Sequence, residues 1–385
     1  MKDKLSLEDL VIFEKKHLLW NYKLFKYPLW IHCREPLLKL SILAERKIPN
    51  VQIIPMFKSF IYTIKFLFFQ KKYDNIYFLM ERAELLEIYR QDKSLKKLLF
   101  LNAEQEKVYQ GSDYISSDFF NLLRYLSRKI AFLLFWKKYR EISIKIDKIG
   151  YENLIPYIKI AFGDALFLKF LSLVLDKKSK KFYTGAVIPM GEKFVNALNS
   201  FEVQHGVIHP EHVGYIKLPE VKNSLILYSQ RYENVLRENG YIGNLIVQDY
   251  KKSFFEKRVD INFFIVIYTQ PTEDMQLGVN AFFLKYKPTD IFIQKHPKDY
   301  FDYDIEQKYF VNSTTPFEVQ NPILCTSSVI ENFTNYDKRC YIYDLKNPSY
   351  NLMEFLSIYT MESKSEIVVM DSLNDIYMNI KANIK

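Results

Sequence analysis

Glycine is scarce: ten in 385 residues, with 14 prolines, no Ser/Gly-rich run and no internal repeat. Flexible linkers and repeat arrays are excluded, so any domains are joined by short, ordered connections. Cysteine is scarcer still. Cys33, Cys325 and Cys340 have neither paired nor metal-ligand spacing. An odd, sparse count fits a reducing compartment, and the expected location is the cytoplasm. The opening MKDKLSLEDL mixes acids with bases and lacks an apolar core, so it does not read as a secretory leader. No stretch reaches the ~18 consecutive apolar residues of a spanning helix. G-x-x-x-x-G-K-[ST], G-x-G-x-x-G and G-x-S-x-G are all missing. A P-loop ATPase, a Rossmann dehydrogenase and a nucleophile-elbow hydrolase therefore lack support.

What is present is ordinary in bulk and uneven in detail. The apolar fraction is 49% and the charged fraction 26%, as in soluble globular proteins, and the length suggests two or three domains. Net charge is +9, but residues 1–200 hold 35 Lys and Arg against 21 Asp and Glu, and the remainder 19 against 24. A basic first half can face nucleic acid, an anionic membrane or an anionic polymer.

The apolar pattern predicts an α/β protein. Asn75–Met80 reads as a buried strand, 151–175 as a helix, and about 185–198 as a second helix leading into the strand 201–204. Beyond it the alternation is clearer. Strands are expected at 224–228, 244–247, 262–268, 290–294, 322–325 and 366–370, with helices at 230–239, at 274–286, after 328 and at the C-terminus. Strands alternating with helices imply a parallel sheet covered on both faces, with ligands beyond the carboxyl ends of its strands.

Chemistry-bearing residues fall at those ends. Four of the six histidines lie in two short segments. The first is FEVQHGVIHPEHVGY, residues 201–215. Here His205 leaves a strand, and Gly206 lets a second molecule approach the backbone. An imidazole titrating near neutrality suits deprotonation of a sugar hydroxyl. Glu202, three residues earlier, points to the opposite face if the strand continues to His205, and is the alternative base. His209, His212 and Tyr215 complete a candidate acceptor surface. The spacing of His205 and His209 would suit zinc on a helix, but Gly206 and Pro210 oppose a helix and nothing completes the ligand set, so no metal is expected. The second segment, Gln294 to Pro297, sets His296 and Pro297 after a strand, with Lys295 as a charge suited to phosphate. Thr269 and Gln270 follow the strand 262–268. The third segment, Thr326-Ser327-Ser328 with Glu331 behind, offers hydroxyls entering a helix, where they serve either as caps or as anion donors. Asp302-Tyr303-Asp304 resembles a metal-binding D-x-D but reads as surface.

A histidine-glycine, then His-Pro, then Ser-Ser, each after a strand, resembles bacterial GT-B glycosyltransferases of capsule and lipopolysaccharide synthesis. The His-Pro and Ser-Ser resemble those of the sialyltransferases. The His-Gly also resembles that of the CDP-glycerol glycerophosphotransferases of teichoic acid synthesis. The first domain is similar to uncharacterised polysaccharide-biosynthesis transferases through Leu18-Leu19-Trp20 and Pro28-Leu29-Trp30 with Arg34. The resemblance implies two Rossmann-like domains facing a central cleft. Residues 1–215 would bind the acceptor and 216–365 the nucleotide sugar, with 366–385 able to cross back to the first domain. It implies a CMP-linked donor held by His296, Pro297, Ser327 and Ser328, a glycan or lipid-linked glycan acceptor, His205 as base and no required cofactor. The sialyltransferases carry two acids before their glycine where this chain has Gln204-His205, so UDP- or GDP-hexose and CDP-glycerol stay open as donors. Phe60–Lys72 and Ile130–Arg140 join aromatics to terminal bases and suit either a core helix or an anionic membrane surface. The competing class is a non-catalytic protein binding RNA or another polyanion.

Overall fold

The computed structural model describes residues 6–38, 53–78, 83–101, 114–175, 180–184, 190–204, 208, 212–248, 263–296, 299–311, 318–325, 333, 339–345, 352, 356 and 365–383. The chain divides into two compact units, Met1–Lys251 and Lys252–Lys385.

The first unit opens with helices and a hairpin, β1 (Lys23–Leu24) and β2 (Tyr27–Pro28). Its tight turn is made by Phe25 and Lys26, both at positive φ. A chain this poor in glycine forms left-handed turns from other residues, Leu18, Asn196, Asn199, Lys217 and Lys287 among them. Seven strands follow: β3 (Asn75–Phe78), β4 (Lys97–Leu101), β5 (Tyr114–Ser116), β6 (Lys181–Thr184), β7 (Ser200–Val203), β8 (Ser224–Leu227) and β9 (Asn244–Val247). All pair in parallel, in the order β5-β4-β3-β6-β7-β8-β9. That is the doubly wound order 3-2-1-4-5-6 with one strand added. The abundant aromatics build its core. Phe100, Phe78 and Phe182 stack across neighbouring strands, and Tyr77, Tyr183 and Phe201 form a second ladder. Helices Asp118–Leu134 and Ile155–Val174 cross at Gly163, where a Cβ would fall 2.2 Å from the Arg128 Cα.

The second unit holds β10 (Phe263–Tyr268), β11 (Ile291–Gln294), β12 (Val319–Leu324), β13 (Arg339–Tyr343) and β14 (Glu366–Met370). They too are all parallel, in the order β11-β10-β12-β13-β14. This is the other common doubly wound order, 2-1-3-4-5. Ile265, Ile267, Ile291, Ile293 and Ile323 pack against Met275, Val279 and Phe282 of helix Glu273–Tyr286 and Leu373, Ile376 and Ile380 of helix Leu373–Ala382. Thr272 and Ser372 cap those helices through their hydroxyls.

The chain is thus α/β, with parallel sheets of seven and five strands flanked by helices. Three expectations change. The boundary moves from 215/216 to 251/252, because β8 and β9 extend the first sheet. The last strand and helix complete the core of the second unit, since β14 pairs with β13. The helix expected over about 185–198 shrinks to Glu192–Val195, ended by Asn196 at φ 45°, and the strand β6 precedes it; residues 185–189 lie outside the described ones. Strands β4, β5 and β13 also appear where none was expected. Among the described residues no helix is long and apolar enough to cross a membrane.

Candidate functional site

In the second unit the strand order reverses between β10 and β12, the point at which doubly wound sheets bind ligands. Thr269 follows β10 there and is buried. Its N–H donates to the Gln294 carbonyl at 3.1 Å, which ties it to the end of β11. Its hydroxyl donates to the Asp299 carboxylate and accepts the N–H of His296 at 3.2 Å. Asp299, also buried, accepts the Tyr303 hydroxyl at 2.7 Å and the Phe301 N–H at 3.2 Å, and its own N–H donates to the His296 carbonyl at 2.8 Å. The His296 backbone is thereby held from both sides. Burial, and then the Asp299 carboxylate, push the Tyr303 hydroxyl well above the usual tyrosine range, so it stays a donor at neutral pH.

Lys295 turns toward its own loop. Its Nζ donates to the Phe301 carbonyl at 2.6 Å and lies 5.3 Å from the Tyr303 ring. The Gln270 carbonyl accepts the Thr272 N–H at 2.8 Å at the start of helix Glu273–Tyr286. Cys325, one residue beyond β12, is a core thiol that burial pushes up to about 12. Pro297, Ser327, Ser328 and Glu331 lie outside the described residues. Asp302 and Asp304 are exposed, as expected of a surface D-x-D.

In the first unit β7 ends at Val203, so Glu202 is a strand residue. Glu202 Oε1 accepts the Tyr215 hydroxyl at 2.8 Å, and its Oε2 lies 3.4 Å from Lys193 Nζ. The carboxylate is 20% exposed and the lysine almost fully buried. Lys193 Nζ also donates to the Gly214 carbonyl at 2.8 Å and sits 4.4 Å from the Tyr215 ring centroid. His212 Nδ1 accepts the Gly214 N–H at 3.2 Å, which makes Nε2 the protonated nitrogen of the neutral ring. The His212 carbonyl accepts the N–H groups of Tyr215 and Ile216 at 2.9 and 3.0 Å. Gln204 is fully buried and bonds to β8 through its N–H, at 2.8 Å from the Ile226 carbonyl. The structure thus brings Glu202, His212 and Tyr215 together. His205, Gly206 and His209 lie outside the described residues.

No family model matches the chain, and no curated protein matches it. Among solved structures it is similar to the wall teichoic acid polymerase TagF, at 8% identity and a TM-score of 0.42, over 86% of this chain and 88% of that one.

Several participants were not legible in the sequence. Lys193 and Asp299 sit in no motif, Tyr303 was marked only as the centre of a surface D-x-D, and their folded partners give them a role. Glu14 is another: its buried carboxylate accepts Trp20 Nε1 at 3.1 Å, Trp30 Nε1 at 2.8 Å and Arg34 Nε at 2.7 Å. Both tryptophans and the arginine belong to the segments singled out above. The missing element was the acid that joins them.

A further charged cluster lies between helices Asp118–Leu134 and Ile155–Val174. Asp164 is fully buried and takes paired N–H donors from Arg124, at 3.0 and 2.8 Å, and from Arg128, at 2.7 and 2.9 Å. Burial alone would raise its carboxyl, but the two guanidiniums prevail and hold it far below the usual carboxylate range. His32 Nε2 is 3.7 Å from Asp164 and shares a 2.6 Å hydrogen bond with the Tyr27 hydroxyl. Burial, partly offset by Asp164, lowers the His32 imidazole to about 4.

Proposed function

We propose that the chain is an inverting glycosyltransferase of GT-B type. It moves a sugar, a sialic-acid-like nonulosonate, from a CMP-linked donor onto a hydroxyl of a surface-glycan acceptor, without a metal. The observation that carries this reading is the Thr269–Asp299–His296 arrangement beside the reversal of strand order in the second unit. It holds the His296 backbone at the carboxyl end of β11, next in sequence to a lysine and, in the order β11-β10-β12, two strands from the one that precedes the hydroxyl segment, which supports a nucleotide-phosphate site there. His296, Ser327 and Ser328 hold the donor phosphate, and preorganised donors stabilise the charge on the departing nucleotide.

The first unit supplies the base. Both Glu202 oxygens are engaged, one by Tyr215 and one by Lys193. This favours His205 as the group that takes the acceptor proton during in-line attack, with Glu202 as a fixed part of its surroundings. A lipid-linked acceptor would make contact with the inner face of an anionic membrane useful. The exposed side chains of Phe68 (79%), Phe69, Leu133, Leu134 and Trp136, close in sequence to Lys71, Lys72, Lys137 and Lys138, support such a contact.

The test is a thermal-shift series with CMP, CDP, UDP and GDP, followed by turnover of the donor class that binds. A shift by CMP alone is expected. A shift by UDP, GDP or CDP alone would replace the cytidine monophosphate donor by a hexose or glycerol donor. No shift, with firm retention on RNA, would favour a polyanion-binding protein. His205→Ala is expected to lower turnover about a hundredfold, the scale of losing a general base, with donor binding kept. Co-sedimentation with phosphatidylglycerol vesicles at low and high salt tests the membrane contact, which weakens with salt.

A further inference from the structure

Arg34 is almost fully buried on helix Ile31–Leu38. One edge of its guanidinium is fixed by Glu14, which the two tryptophan indoles hold in turn. The Trp20 ring lies 5.6 Å from the guanidinium carbon. The other edge is aimed at the main chain of a segment distant in sequence. Nη1 donates to the Val213 carbonyl at 2.7 Å and to the Ile216 carbonyl at 3.1 Å, and Nη2 reaches the Lys217 carbonyl at 3.5 Å.

These carbonyls belong to a turn outside any helix or strand, where buried main-chain acceptors need partners from elsewhere. The turn closes on Lys217 at φ 50°, a left-handed conformation that a non-glycine residue adopts only when its surroundings hold it. The same turn carries Tyr215, whose hydroxyl reaches Glu202, and Gly214, whose carbonyl receives Lys193. Only arginine offers a planar fork able to bind a carboxylate on one edge and two or three carbonyls on the other; a lysine ammonium reaches fewer of them.

We propose that Arg34, anchored by Glu14, is a positioning residue: it sets the turn 212–217 so that Tyr215 and Lys193 hold the Glu202 carboxylate at the end of β7. Its consequence for turnover rests on the transferase reading above; its hold on the turn does not.

Two readouts on the full-length chain test it. The first is amide hydrogen exchange at Tyr215 and Ile216, whose N–H groups bond to the His212 carbonyl. Arg34→Lys is expected to speed exchange there by about tenfold or more while β10 to β12 exchange at the wild-type rate, as local opening differs from global unfolding. The second is a double-variant cycle on turnover. Arg34→Lys should lower kcat about tenfold with the donor KM within about twofold, and should add nothing to Tyr215→Phe, as residues acting through one contact are not additive. Wild-type exchange at the turn overturns the proposal, and so does a kcat loss that multiplies with that of Tyr215→Phe. If the wild-type chain turns over no nucleotide sugar while exchange responds, the transferase reading fails and the clamp on the turn stands. If Arg34→Lys does not fold, Glu14→Gln weakens the anchor more gently, and wild-type behaviour in both readouts then overturns the proposal.

Discussion

Thr269 donates its hydroxyl to Asp299, and the pair joins the end of β10 to the loop that follows β11. The same hydroxyl accepts the His296 N–H. A buried carboxylate thus sets a histidine that it does not touch through its side chain. Asp299→Ala would leave the Thr269 and Tyr303 hydroxyls and the Phe301 N–H without their acceptor. A loss of about 3 kcal/mol is expected, the scale of stranding buried donors of a charged acceptor. Asp299→Asn keeps an acceptor oxygen and should lose about 1 kcal/mol. Urea denaturation measures both, and the CMP-induced thermal shift should shrink in the same order.

Asp164 accepts paired bonds from both Arg124 and Arg128. Asp164→Asn retains the shape and removes the charge. It should destabilise the first unit by ~3–5 kcal/mol, the cost of breaking a buried pair from one side. Arg128→Gln should cost less, because its side chain is 35% exposed and Arg124 remains. Chemical denaturation of the two variants beside wild type ranks them.

His32 gives the fold an acid-sensitive window. Its folded pKa, about 4, lies below the unfolded value near 6.5, so the unfolded chain binds more protons between those limits. Stability is therefore complete above about pH 6.5 and falls as pH drops toward 4, by up to ~3 kcal/mol. Asp164 acts lower: its contribution is present above about pH 4, its unfolded value, and is lost only below that. Melting temperature against pH should fall between 6.5 and 4 in wild type, and His32→Gln should flatten that stretch. An unchanged slope would remove His32 as its source.

Gly163 sits where its helix meets the backbone of Arg128 on the neighbouring helix. Alanine is the better helix former by about 1 kcal/mol, so propensity alone favours Gly163→Ala. The Cβ would lie 2.2 Å from the Arg128 Cα and 2.5 Å from its Cγ, which forces the helices apart and disturbs both bonds to Asp164. A net loss of ~2 kcal/mol or more is expected, with overpacking prevailing over propensity. Thermal unfolding measures it.

The strands legible in the sequence are the ones with continuous apolar runs and clear stops. Phe263–Tyr268 is six residues without a charge, and Ile291–Gln294 ends on the His-Pro segment. The ones missed are short and edged by polar groups: Lys97–Leu101, Tyr114–Ser116, Lys181–Thr184 and Arg339–Tyr343. Over three to five residues there are too few positions for periodicity to tell a strand from a helical turn. At the site, Thr269, His296 and Glu202 were marked by their position at strand ends, and Tyr215 by its place in the histidine-rich segment 201–215. Asp299, Lys193 and Glu14 were not, since a carboxylate or an ammonium in a polar stretch reads as solvated surface until its partners are in place.

The sequence by itself determined the α/β class, the parallel sheet, four of the second unit's five strands, and the strand-end histidine and hydroxyl segments. Those follow from local patterns of a few residues, where apolar period and capping chemistry act directly. Tertiary structure alone decided that β8 and β9 extend the first sheet and that β6 lies beside β3. It alone brought Arg34 to the carbonyl of Val213 across 179 residues. Parallel strands pair through main-chain groups that every residue carries, and a buried ion pair joins side chains that are commonplace singly. Which ones meet is fixed by the packing of the whole unit, and no local pattern records it.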